Sequence, residues 1–296
     1  MEATPVTFES FNRKAWADHG KDAQGVADRL PQLFELVCKP ADAAPAARLI
    51  AHVMGEHLGE WNVGVSLLSE LGQNAHCRSC PDATMSIQRT IAALDVASGR
   101  VKSTELAESL SEEDRVLVLS LAASMLSAHG EIHQASGLFA ESIALISDLS
   151  PSSPVHRSLA VTGNNLACAL EEKSKLTPDE EELMLLAART ARTEWEIAGG
   201  WLEVERAEYR LAMSSLKAGR VGEALDHGRK CLAIVEANGR PALEAFFAWE
   251  AIARAATEGS YEAAREEAVQ KVRAEFAKLS DDDKGWCRPI LEKLDL

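Results

Sequence analysis

Gly219-Arg-Val-Gly-Glu-Ala-Leu225 and Gly259-Ser-Tyr-Glu-Ala-Ala-Arg265 decide the fold. In each stretch a Gly interrupts one helical pattern, and a small residue, Ala224 or Ala264, follows five positions later. The same phase recurs at Gly20, Gly59, Gly99 and Gly130, so the spacings between these glycines are 39, 40, 31, 89 and 40 residues. The long interval is about two periods. A unit of roughly 34 to 45 residues implies stacked helical hairpins, a solenoid in which each hairpin buries its apolar face against its neighbours.

The residues on either side of each Gly explain the pattern. With Gly219 placed at position 15 of a unit, Ala212 falls at 8 and Ala224 at 20. With Gly130, Ala123 and Ala135 take the same places, while around Gly59 they are His52 and Gly64. Two helices cross closely where a side chain is missing, so small residues at these phases allow tight hairpins.

Seven hairpins follow, starting near Phe8, Ala46, Thr84, Ser111, Ser158, Leu202 and Ala242, with a last helix near Lys284 to Leu294 as a cap. One domain over residues 1–296 is therefore predicted: a divergent N-terminal hairpin at 1–40, repeats at 41–279 and a C-terminal capping helix at 280–296. Ser111-Glu-Glu-Asp and Thr177-Pro-Asp-Glu are helix starts, because acidic residues suit the positive end of a helix and Thr with Glu three residues on forms a capping box. Ser147 to Pro154 reads as a Pro/Ser turn.

Composition agrees with an all-α chain. Ala, Leu and Glu dominate, and aromatics make up only 5% of 296 residues. A net charge of −15 repels phosphate backbones, which argues against nucleic-acid binding. The start, Met1-Glu-Ala-Thr-Pro, has neither the basic residues nor the apolar stretch of a signal peptide. No apolar run reaches the roughly 20 residues of a membrane span. A cytoplasmic protein is the expectation, with its six cysteines reduced.

The Gly-centred segments resemble the turn and second helix of the tetratricopeptide repeat. The resemblance covers nearly the whole chain in spacing and is specific around Gly130, Gly219 and Gly259; the Trp, Tyr and Pro of that repeat are mostly absent. It implies a right-handed superhelix whose first helices line a concave groove. Transferred by phase, the groove would include Asn164, Arg206, Tyr209, Met213, Lys217, Phe246 and Trp249. Asn164-Asn-Leu-Ala is similar to repeats whose paired Asn side chains contact a bound peptide, as in kinesin light chains. Arg206 and Lys217 suit a carboxylate, and the aromatic residues suit anchor burial. For Phe246 and Trp249 the alternative is burial under the next repeat or the cap.

One further cluster carries metal-type spacing. Cys77 and Cys80, in His76-Cys-Arg-Ser-Cys80, are separated as in turns that offer two thiolates to zinc. His52 or His57 could complete such a site if the fold returns them, and dithiol redox chemistry is the other option. His52-Val-Met-Gly-Glu-His57 lacks the zinc-protease spacing, and His52 reads as a packing residue. No nucleophilic elbow or phosphate loop appears, so no enzyme is expected. The expected function is a non-catalytic module that binds a protein partner, as a peptide or helix, in the groove and needs no cofactor. The alternatives are a metal- or thiol-responsive regulator using Cys77 and Cys80, and a self-associating scaffold, for instance a homodimer.

Overall fold

A computed structural model describes residues 6–294. The reading of Met1 to Pro5 as leaderless lies outside them. Among the described residues there are sixteen α-helices and no strand. None of these helices is long and apolar enough to cross a membrane. The chain groups into two compact units, Met1–Leu149 and Ser150–Leu296, where the periodicity treats it as one solenoid. The boundary falls inside the Pro/Ser turn.

The first unit begins with α1 (Phe8–Asp18), held by a reciprocal cap between Thr7 and Ser10. Short helices α2 (Ala23–Ala27) and α3 (Leu33–Leu36) follow, then α4 (Ala43–Ile50). Helix α4 does not stop at a turn. It continues as a π-helix over Ala51–His57, in which the backbone bonds reach back five residues, as from the Leu58 amide to the Val53 carbonyl at 3.1 Å. Gly59, at φ +66°, ends it. Next come α5 (Trp61–Leu71), α6 (Ala75–Arg78) and α7 (Pro81–Ala97). Where a partner helix to α7 was predicted, the chain forms a short 3-10 segment, Ser103–Glu108.

The unit closes with a regular hairpin, α8 (Glu112–Ala128) and α9 (Ile132–Ile146). Ser111 caps α8 by accepting from the Asp114 amide, and Ala123 and Ala135 meet, fully buried, at the predicted crossing. The π-helix presses on α8 at Gly55, where a Cβ would lie 2.9 Å from the Met125 sulfur. The Gly55 carbonyl, one of the acceptors a helix end leaves unpaired, takes donors from His129 Nε2 at 2.8 Å and Trp61 Nε1 at 3.2 Å.

The second unit is three hairpins and a final helix: α10 (Val155–Glu171) with α11 (Pro178–Ala198), α12 (Trp201–Lys217) with α13 (Val221–Ala237), and α14 (Ala242–Glu258) with α15 (Glu262–Lys278). Helix α16 (Asp281–Leu294) packs on α14 and α15. A full capping box between Thr177 and Glu180, with Pro178 in the first turn, starts α11. Gly163 lets α10 lie against α11, since a Cβ there would be 2.7 Å from the Ala187 carbonyl oxygen. The turn after α12 uses Gly219 at φ +69°. The turn after α14 is shifted by one residue: Gly259 has an ordinary φ of −81° and Ser260 takes the left-handed position at φ +56°. The first helices of successive hairpins, α10, α12 and α14, touch side by side and form one face of the unit.

Between the hairpins lies a set of buried acids. Glu205, only 1% exposed, accepts from the Cys231 thiol at 2.8 Å. Burial pushes its carboxyl up to about 7, with the thiol bond opposing. The folded state therefore keeps a proton that the unfolded chain releases near pH 4.5, and this contribution is lost as pH rises through 7. Glu205→Gln keeps the shape and the acceptor without the charge. It is expected to raise stability at pH 8 by about 1–3 kcal/mol and to change little at pH 4. Urea midpoints at the two pH values measure this; an equal shift at both would mean that the fold does not raise the carboxyl above its ordinary range.

Candidate functional site

The face formed by α10, α12 and α14 carries a cavity of 490 Å³. Tyr209, Met213 and Lys217 line it, together with Glu171, Arg210, Leu216 and Arg254. Three of these are the residues that the groove phase selects on α12, spaced four apart and hence on one side of the helix. Lys217 reaches across to donate to the Lys173 carbonyl at the end of α10.

Two acids and two guanidinium groups organise the walls. Arg210 pairs with Glu171, and its Nε donates to Asn164 Oδ1 at 3.4 Å. The Ser214 hydroxyl also donates to Glu171. Arg254 pairs with the fully buried Glu250, which accepts the Tyr209 hydroxyl at 2.9 Å. Burial pushes the carboxyls of Glu171 and Glu250 above their usual range, against the pull of their arginine partners. The Tyr209 phenol is raised as well, first by burial and then by Glu250. The hydroxyl therefore stays protonated and acts as a donor, held by its partner.

The remaining groove candidates lie differently. Asn164 is half-buried and touches the cavity wall through Arg210. Arg206 sits outside the cavity lining, exposed, and pairs with Glu244 of the next hairpin at 3.1 Å. Phe246 is a correction. It is fully buried in a cluster with Val272, Leu279 and Cys287. Trp249 packs against the same cluster and against the α13–α15 core, with its indole nitrogen buried and Lys271 over its ring. The cause is α16, whose Ile290, Leu291 and Leu294 cover the side of α14 that phase assigns to the groove. Phase says which residues share a face, not what covers that face.

Arg210 and Arg254 escape the phase rule, because they sit one position past Tyr209 and five past Trp249. Long side chains reach the cavity from positions where short ones would not. The signal for Arg254 was the four-residue spacing from Glu250, a pairing distance on one helix face.

The cysteine pair lies in the first unit. Cys77 is fully buried, and burial raises its thiol, which disfavours the thiolate that zinc needs. Cys80 stands at the residue before α7 and makes no side-chain bond to the helix amides. Among the described residues no third ligand-type side chain joins them; the group that does converge is His19, His52 and His57. No family model matches the chain, and neither a curated protein nor a solved structure matches it.

Proposed function

We propose that the second unit is a non-catalytic binding module that holds an extended segment of a partner protein across α10, α12 and α14. The single observation behind this is the convergence of Arg210, Lys217 and Arg254 on a 490 Å³ cavity with Met213 and Tyr209, in a chain whose net charge is −15. A recess in which Lys217 adds a positive charge beside two Arg–Glu pairs, between apolar and aromatic walls, suits an acidic side chain carried next to an apolar one. Asn164 and Ser214 lie at its edge, and Asn164 can both donate to and accept from a peptide backbone. The likeness of the hairpins to tetratricopeptide repeats supports the same choice of face.

The test uses Lys217→Glu, because Lys217 makes no salt bridge with Glu171 or Glu250 and its replacement removes neither partner of the two Arg–Glu pairs. A synthetic peptide array, varied in acidic and apolar positions, selects the ligand, and titration calorimetry reads its affinity. Wild type is expected to prefer acidic peptides, and Lys217→Glu to weaken them at least tenfold. Arg206→Ala, outside the cavity lining, should change little. An affinity untouched by Lys217→Glu would remove this reading.

A further inference from the structure

In the first unit three histidines from two elements converge. His19 closes α1, and His52 and His57 lie on the π-helix. Their ligand-type atoms all fall within 4.8 Å of one another. The rings of the three are in mutual contact, with centroids 4.7 to 5.0 Å apart, and Trp16 stacks on His52 at 4.8 Å.

The hydrogen bonds set the tautomers. His19 Nδ1 lies 2.8 Å from the Trp16 carbonyl oxygen, which can only accept, so Nδ1 carries the proton and Nε2 offers a lone pair. His52 Nδ1 lies 2.8 Å from the Glu56 carboxylate, with the same consequence for its Nε2. A backbone carbonyl behind one imidazole and a carboxylate behind the next is the outer arrangement that orients histidine ligands toward a metal.

The spacing is that of a coordination shell. His52 Nε2 and His57 Nε2 are 3.2 Å apart. Two nitrogens bound to one tetrahedral ion at a Zn–N length of 2.0–2.1 Å are separated by about 3.3 Å. The widest separation in the group exceeds that edge by at most about 1.5 Å, so the three rings need draw together only slightly around an ion.

We propose that His19, His52 and His57 form a binding site for a divalent transition-metal ion of the zinc class, with Glu56 as the positioning residue behind His52. Three imidazoles suit zinc over magnesium or calcium, which take oxygen ligands. They leave a fourth position, and the exposed His57 opens it to solvent. On binding, His57 releases its Nε2 proton to solvent and takes one up at Nδ1, so that the Nε2 lone pairs of His52 and His57 both face the metal.

The experiment takes the full chain without a polyhistidine tag, strips it with a chelator, and titrates it with zinc chloride against a chromophoric competitor. One equivalent is expected to bind. His19→Ala and His57→Ala should each weaken binding at least 100-fold, and Glu56→Gln about 10- to 100-fold at unchanged stoichiometry. Cys77→Ser with Cys80→Ser should change nothing. Cobalt(II) added to wild type gives a readout that needs no variant: the visible bands of a four-coordinate ion without thiolate charge transfer. The proposal is overturned by the absence of saturable zinc binding below 100-fold protein concentration, by full affinity in folded His57→Ala, or by a thiolate band or loss of binding in the cysteine variant.

Discussion

Phe246→Ala is expected to lower the stability of the second unit by about 3–5 kcal/mol, the cost of emptying a fully buried phenyl site. Phe246 is where α14 meets α16. Its ring contacts Phe247 at 5.3 Å and Phe276 at 6.2 Å, and Leu279 and Cys287 close the cluster. The loss should therefore detach the terminal helix before the hairpins upstream. A fall in the urea midpoint, followed by the fluorescence of Trp286 on α16, is the measurement. The ring of Trp286 is 5.1 Å from that of Phe247. If the variant kept its midpoint but lost peptide affinity, Phe246 would be a groove anchor after all.

Gly163→Ala is the second large effect, and its sign runs against helix propensity. In a free helix interior this exchange stabilises by about 0.5–1 kcal/mol. Here the new methyl would sit 2.7 Å from the Ala187 carbonyl oxygen and 3.3 Å from the Ala191 amide nitrogen, both backbone atoms that cannot swing aside. Helices α10 and α11 must separate, at a cost of about 1–3 kcal/mol. Gly137→Ala, in the middle of α9 with nothing within 4 Å of its added carbon, is the control and should hold or raise stability. Thermal or urea unfolding of both variants decides it. Two variants moving in the same direction would refute the close-approach argument.

The hairpins from α8 onward were legible because each turn and crossing leaves a local mark. Gly130 and Gly219 occupy left-handed turns, and Ala123, Ala135, Ala212 and Ala224 are buried where helices cross. The turn at Ser260 shows the tolerance of that code: the glycine lies one residue early, and serine carries the positive φ. The first hundred and ten residues were less legible, since short helices, a 3-10 segment and a π-helix have no fixed period to read. Tyr209, Met213 and Lys217 came from groove positions of the tetratricopeptide repeat, transferred by phase, and these three line the cavity. Phe246 and Trp249 do not, because what covers a face depends on α16, which lies more than thirty residues further along.

The histidine cluster was hidden for a geometric reason. Five residues along an α-helix amount to about 140° around its axis, so His52 and His57 read as belonging to different faces. The wider π-helical coil brings the fifth residue back near the first, and the two Nε2 atoms meet. The Cys77 and Cys80 spacing is the more familiar one, but Cys77 is fully buried and, among the described residues, no third ligand-type side chain joins the pair.

The π-helix at Ala51–His57 has a consequence for how this chain can vary. Such a coil holds a residue that an α-helix of the same rise would not accommodate. Deleting one residue between His52 and His57 would let the segment rewind as a continuation of α4 with the two histidines four apart, about 40° from each other around the axis and still on one face. Rewinding at the present length would instead place them about 140° apart. Among sequences descended from this one, the pair therefore survives a change of winding only when the segment shortens by one residue with it.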